Sequence, residues 1–293
     1  MPAGPARSPF SGASSSLVWG RKDGRVIYQC PDTGATFYDR TEVSGRLEED
    51  YPYLKGFDAE RFEWEVRIRR PKFQRQLERM RRYVDGERPH LLDVGAGPGY
   101  LVYVANEEGW SAVGAEVSAD AVRYGAQQYG ARYVELDEVE RESVDALTCH
   151  HVLDHVDEPV SFLETLHAKL RPGGLLVLHV SHQQPLTFAL RDTLRRLTSG
   201  GAAETVCKLY EGLHVSGFTA ASLRAVAERG GFETHFTKTP GMWSRYYDPF
   251  FFRSLAREGR WGTIARKALR HAAENLGRPF GLGDWVVGYF RKA

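Results

Sequence analysis

The stretch Leu91-Leu92-Asp93-Val94-Gly95-Ala96-Gly97-Pro98-Gly99-Tyr100 constrains the fold of this chain more than any other. A short apolar run suited to a buried strand enters a glycine turn that opens a helix. Glycines at such a turn permit positive φ and let a ligand approach the backbone closely. Pro98, near the helix start, fits the first-turn preference of proline. The glycines alternate at 95, 97 and 99, unlike the Gly-x-Gly-x-x-Gly spacing of dinucleotide-binding turns. Around this turn the sequence alternates strand and helix. Parallel strands are expected at His90–Val94, Ser111–Val117, Ala131–Leu136, Val144–His151 and Gly174–Ser181. Helices are expected at about Tyr100–Glu108, Ala119–Tyr129 and Pro159–Leu170, the last stopped by Arg171-Pro172-Gly173-Gly174. A helix at Thr219–Glu228 and strands at Phe232–Thr239 and Asp284–Arg291 complete the pattern. This is the grammar of an α/β, doubly wound, mostly parallel seven-stranded sheet.

Composition narrows the partners. In 293 residues, 39 Lys+Arg against 38 Asp+Glu leave a net charge of +1, so nothing global favours nucleic acid. No apolar run approaches the ~20 residues of a membrane-spanning helix. Cys30, Cys149 and Cys207 are too few and too scattered for a disulfide framework, which points to a reducing, cytoplasmic compartment.

The sequence divides into a Pro/Ser/Ala/Gly-rich flexible tail (1–16), a small β element with covering helices (17–88) and an α/β domain (89–293). The tail lacks the apolar core of a secretion signal. Near Cys30 a zinc knuckle would need a second cysteine where Thr33 stands, so zinc is rejected there. Tyr51 to Val84 reads as helical with a break near Pro71, and Phe73, Leu77, Met80 and Val84 face a core. Its basic side (Arg70, Lys72, Arg75, Arg79, Arg81, Arg82) reads as a solvated face rather than a phosphate patch. Residues 182–217 are expected to lid the site, and 241–283 form a helical insert rich in aromatics, including Trp243, Tyr246, Tyr247, Phe250, Phe251 and Trp261. That insert reads as a helical cap. A surface for a lipid-linked substrate or the membrane periphery, and a homodimer contact, are its other readings.

Glu116 ends the second strand, where a carboxylate can accept both hydroxyls of a ribose. Together with Asp93 and the alternating glycines it makes a nucleoside pocket. On these residues the chain resembles the class I S-adenosylmethionine-dependent methyltransferases. Asp93 to Gly99 resembles the family's first motif. Val144 to Val156 resembles its fourth strand with the following "Leu-Glu-His-Val", and Leu170-Arg171-Pro172-Gly173-Gly174 its "Leu-Lys-Pro-Gly-Gly". The nearest subgroup includes ubiquinone-biosynthesis O-methyltransferases. The resemblance implies a Rossmann-like methyltransferase fold and S-adenosylmethionine as cofactor. It surrounds the cofactor with Asp93, Gly95, Ala96, Gly97 and Gly99. Glu116 would hold the ribose, Val117 would pack on the adenine, Asp137 (or its rival Glu138) would meet the adenine amino group, and His150 would lie near the methionine portion.

A hydroxyl acceptor must lose a proton, for which a neutral histidine is the natural base. The candidates are His151, His155, His182 and His214. His151, Asp154 and His155 match positions that are Glu, Glu and His in the ubiquinone-type relatives, where they are associated with a magnesium-type ion. An imidazole at 151 suits Mg²⁺ poorly, so no metal is expected, and Asp154 and His155 are read as capping the loop after strand four. The expected function is methyl transfer to a small molecule, at a hydroxyl. The alternatives are N- or C-methylation, or a non-catalytic methyltransferase-like binding or assembly factor.

Overall fold

The computed structural model describes residues 5–22, 25–38, 59–186, 214–240 and 278–293, with isolated positions between them. A six-stranded sheet organises the α/β part. Its strands are β6 (His90–Val94), β7 (Ser111–Ala115), β8 (Val144–His150), β9 (Leu170–Ser181), β11 (Phe232–Lys238) and β12 (Trp285–Lys292). Their order is β11-β12-β9-β8-β6-β7. The β9-β8-β6-β7 part is parallel, and β12 and β11 join antiparallel. Helices α2 (Tyr100–Glu107), α3 (Ala119–Tyr129), α4 (Pro159–Lys169) and α5 (Ala220–Arg229) connect or follow the strands. Runs such as Leu175–Leu178 are fully buried, as a sheet covered on both faces requires. The order reverses between β6 and β8, which puts a ligand crevice at the carboxyl ends of these strands.

The seventh expected strand is absent as such. Ala131–Leu136 forms only an isolated bridge, Tyr133 to Gly114, and then a 3₁₀ turn at Leu136–Glu138. Gly114 donates to the Arg132 carbonyl and Val134 donates to the Gly114 carbonyl, each at 2.9 Å. Arg132, Glu135, Asp137 and Glu138 are exposed, so this edge lacks the apolar burial that would extend the pairing.

The tail also differs from expectation. Within it, residues 5–16 are ordered. Strands β1 (Ala6–Arg7) and β2 (Ser14–Ser15) pair as a hairpin, and Phe10 is buried edge-on against Phe37 and Phe218. One aromatic anchor between two small strands holds the segment, a contact no local composition announces. Strands β3 (Val18–Lys22), β4 (Arg25–Gln29) and β5 (Thr36–Tyr38) form an antiparallel sheet completed by β10 (Ser216–Gly217), from far along the chain. Cys30 is a buried free thiol in the turn of this sheet.

Helix α1 (Ala59–Met80) passes through Pro71 without interruption. The proline costs an amide bond and introduces a clash, roughly 3 kcal/mol. Phe73, Leu77 and Met80 offset it by burying against Leu101 and Val104 of α2, at about 1.5–3 kcal/mol per side chain. The basic side has partners within the fold. Arg70 pairs with Glu107 at 2.6 Å, Arg79 covers Phe236 and Tyr289, and Arg81 covers Trp110. No helix among the described residues is long and apolar enough to cross a membrane. Most of the 182–217 segment, Cys207, and the insert aromatics from Trp243 to Trp261 lie outside the described residues.

Candidate active site

The glycine turn leaves β6 between β7 and β8. Gly95 (φ 73°), Gly97 (φ 53°) and Gly99 (φ 77°) are all left-handed, a conformation that glycine adopts at no steric cost. Amides of Gly95 and Ala96 both donate to the Ala115 carbonyl, tying the turn to the end of β7. A Cβ on Gly95 would run into Val152 Cγ2. One on Gly99 would lie 2.8 Å from Ala131 Cβ and from the Tyr133 hydroxyl. Tyr133 Oη donates to the Gly97 carbonyl at 2.9 Å. The turn is therefore a cradle fixed from three sides. Tyr133→Phe is expected to cost about 1 kcal/mol in thermal or denaturant unfolding, the value of one such bond.

Glu116 closes the cradle. Its Oε2 accepts the Gly97 N–H at 2.7 Å and its Oε1 accepts the Ser118 N–H at 2.9 Å, so each oxygen holds one backbone amide at the rim. Asp93 lies beneath, almost fully buried, and accepts the Thr148 hydroxyl at 2.7 Å. Burial raises its pKa to about 7, which the Thr148 bond opposes and the nearby Glu116 charge reinforces. Val117 is 75% exposed, an apolar side chain left open beside Glu116. Asp137 and Glu138 are exposed acids in the 3₁₀ turn, and Lys169 Nζ donates to the Asp137 carbonyl at 3.3 Å.

Beyond β8 and β9 lies a cluster of imidazoles. His150 Nε2 is 3.0 Å from Gln76 Nε2, and its ring stacks on Phe73. His151 holds φ 56°, a left-handed backbone that costs a non-glycine residue about 1–2 kcal/mol. Its N–H donates to the His179 carbonyl at 2.7 Å, and its ring lies 4.5 Å from that of His179 and 4.4 Å from Trp285. Burial, then the Lys72 charge, holds His150 and His179 well below the ordinary imidazole range, so both are neutral.

The other candidate bases separate. His182 is buried, and its Nδ1 accepts the Gln184 N–H at 3.0 Å. Burial lowers its pKa to about 4, against opposing backbone bonds at Gln184 and Gly281. His155 and His214 lie ring to ring at 4.3 Å, tilted, beside Asp154. Asp154 is fully buried, and its Oδ2 accepts the Ser181 N–H at 3.3 Å and faces His214 Nε2 at 3.5 Å. Its carbonyl receives the amides of Val215 and Ser216. Burial would raise the Asp154 pKa, but His151, His214 and His155 together bring it below the usual value. Among the described residues the tightest donor group is not the magnesium-type set His151, Asp154 and His155. Donor atoms of Asp154, His155 and His214 lie within 4.8 Å of one another, whereas the His151 ring packs on His179 and Trp285. Two imidazoles and one carboxylate do not fit the oxygen-only preference of Mg²⁺.

Sequence reading missed Thr148, Tyr133, Val152, Gln76, His179 and Trp285. Only His179 left a signal: it sits on the next expected strand, and the register pairs it with His150.

A family model described as a methyltransferase domain matches residues 66–235, more than half of the chain. The ubiquinone biosynthesis O-methyltransferase of Xanthomonas axonopodis pv. citri is 32% identical over 115 residues, 34% of this chain and 46% of that protein. The enzyme of the same name from Leptothrix cholodnii is 29% identical over 111 residues, 34% of this chain and 47% of that one. The chain thus spans about half the length of the curated relatives it matches. Among solved structures, a chain of the complex between the Haloferax volcanii Trm112 methyltransferase activator and a methyltransferase has a TM-score of 0.53 at 14% identity, covering 84% of this chain and 99% of that one. That likeness is one of fold.

Proposed function

Since this chain belongs to the methyltransferase-domain family, we propose that it takes S-adenosylmethionine as cofactor and methylates a hydroxyl of a small molecule. The observation that carries the reading is the cradle: three left-handed glycines closed around the Glu116 carboxylate at a strand-order reversal. Added Cβ atoms at Gly95 and Gly99 would collide with Val152, Ala131 and Tyr133, so only glycine lets the turn keep this shape. The cofactor supplies an electrophilic methyl group on a sulfonium, which a nucleophile displaces in line.

This chain's residues hold the parts. The backbone of the Gly95–Gly99 turn, open to close approach, and the Asp93 carboxylate serve the methionine portion, the Glu116 oxygens keep lone pairs for the ribose hydroxyls, and Val117 offers an apolar surface for the base. Alignment of nucleophile, carbon and sulfur supplies most of the acceleration, up to about 7–11 kcal/mol in favourable cases. His151 is the residue assigned to take the hydroxyl proton. Its strained backbone fixes the ring at the sheet edge one residue before Val152, which packs on Gly95. The hydroxyl acceptor rests on the O-methyltransferase relatives, which match about a third of this chain.

Calorimetric titration of the full chain with S-adenosylmethionine, its demethylated product and NAD tests the first half. Binding of the first two but not NAD is expected. Glu116→Ala is expected to weaken it about 10- to 100-fold, the worth of hydrogen bonds to a charged group. Radiolabelled methyl transfer to a panel of phenols, alcohols, amines and carbon acids tests the second half. Labelling confined to amines or carbon overturns the hydroxyl assignment, and tight binding with no transfer at all favours a binding or assembly role.

A further inference from the structure

One cross-strand row of side chains leads away from the glycine turn. Resting on the hydroxyl-methylation reading above, we infer that the acceptor is an aromatic acid, a phenol carrying a carboxylate, which lies along this row with its charge between Lys72 and Lys238. The pairing register draws the row. His150 of β8 is level with His179 of β9, His179 with Val287 of β12, and Val287 with Lys238 of β11. Side chains level with one another across a ladder share a face of the sheet. Here it is the face that α1 covers. The His150 ring stacks on Phe73 of α1, and its Nε2 is 3.0 Å from Gln76 Nε2. Lys238 Nζ lies 5.7 Å from the centre of the Tyr289 ring, which Arg79 of α1 also covers. Asp93 and Thr148 are paired one row below, beside the cofactor cradle. From His150 to Lys238 the row crosses roughly 14 Å, at ~4.8 Å per neighbouring strand. A phenolic acid and the four-carbon stem of Lys238 together span that distance.

Three features of the row select this ligand. His179 is 3% exposed, and its Nε2 has no hydrogen-bond partner among the described residues. A buried nitrogen in that state is costly unless a ligand or water meets it. Flat surfaces surround it: the His151 ring lies 4.5 Å away and the Trp285 ring 5.2 Å away, and these two are 4.4 Å apart. Such rings receive another aromatic ring offset or edge-on. The third feature is charge. Lys72 stands one turn before Gln76 on α1 and shares its face. After burial, its charge does most to keep His150 and His179 neutral, and Lys238 acts on His179 in the same sense. Arg69, which pairs with Glu65, adds to it at His150, while the Asp154 carboxylate interacts with His151. Two ammonium groups beside neutral imidazoles make a positive field where water is partly excluded, and an anion is favoured there. The same field eases ionisation of the phenol. Transfer then forms the bond from methyl carbon to phenolic oxygen and breaks the carbon–sulfur bond, whose electron pair stays on sulfur. The phenolic proton passes to His151.

The test uses the full chain and compares hydroxybenzoates and hydroxycinnamates with their own primary amides, which keep ring and hydroxyl and lose the charge. Calorimetry with the demethylated cofactor product present reads binding, and radiolabelled methyl reads transfer. The acids are expected to bind at least ~10-fold more tightly than the amides and to show a correspondingly lower KM, the worth of hydrogen bonds to a charged group. Lys72→Gln and Lys238→Gln are each expected to raise the KM for acids about 10-fold with little change in kcat, narrowing the gap between acid and amide. His179→Phe keeps a planar ring and removes the unpartnered nitrogen. It should bind the acids about 10-fold more weakly while the free protein melts no lower than the parent, a combination a merely structural histidine would not give. Circular dichroism of each variant separates loss of the site from loss of the fold. The inference is overturned if no acid binds, if the parent chain treats acids and amides alike, if both lysine variants keep the parental preference, or if transfer goes only to aliphatic alcohols. Acids that bind by this pattern without being methylated uphold the pocket and sink the transfer reading. Transfer to other acceptors with no acid bound sinks the pocket alone.

Discussion

Gly95→Ala is expected to lower S-adenosylmethionine affinity about 30- to 1,000-fold in a protein that still folds. Two costs combine. An alanine at φ 73° bears about 1–2 kcal/mol of left-handed strain. Its Cβ would also overlap Val152 Cγ2, and forcing an extra carbon into a packed site costs about 1–3 kcal/mol. The turn has no easy escape, because the Gly95 and Ala96 amides are fixed to the Ala115 carbonyl and Gly97 is latched to Glu116. Relief must come from opening the cradle, so most of this strain, about 2–4 of about 2–5 kcal/mol, appears as lost affinity at 1.4 kcal/mol per tenfold. Val152→Ala in the same chain removes the overlap and leaves the dihedral strain. It should restore affinity only in part. Calorimetric binding together with the unfolding midpoint reads both effects. Parental affinity in Gly95→Ala would remove the turn from the binding site.

The second large effect is on pH. Asp93 titrates near 7 in the free protein, because burial disfavours its charge. If it faces the cofactor's ammonium, binding favours the ionised form and lowers that pKa. Affinity should then fall about tenfold per pH unit below pH 7 and level off above it. Asp93→Asn should bind weakly with no such slope, and a flat profile in the parent chain would separate Asp93 from the ammonium. Stability has the opposite sign. The folded pKa is raised above the unfolded value of 3.8, so ionisation favours the unfolded chain as pH climbs from about 4 to about 7. The free protein should therefore be less stable at pH 8 than Asp93→Asn, in which the amide oxygen can still accept the Thr148 hydroxyl. Chemical unfolding of both at pH 5 and pH 8 reads the difference.

The turn, Asp93 and Glu116 were readable because their meaning is local. A glycine triplet between an apolar run and a helix specifies its own geometry, and an acid ending the next strand needs only the βαβ rule to find its place. The apolar runs of β6, β8 and β9 declared the covered sheet in the same way. The Ala131–Leu136 run carried β-prone residues too, yet it forms one bridge, because pairing at a charged edge depends on neighbours rather than on propensity. Phe10 shows the reverse: a tail of low-order composition is held by one ring against Phe37 and Phe218.

The sequence by itself determined the α/β grammar, the glycine cradle and its carboxylate. Each rests on residues within a strand, turn and helix of one another, where backbone preference and burial period act directly. Only the tertiary structure decided that Tyr133 would lock Gly97, that His182 would be satisfied by backbone, and that His214 would come to stand beside Asp154. Those choices join side chains tens of residues apart. They are set by strand order and by which buried polar atoms must find partners, and neither is written in any single window of the chain.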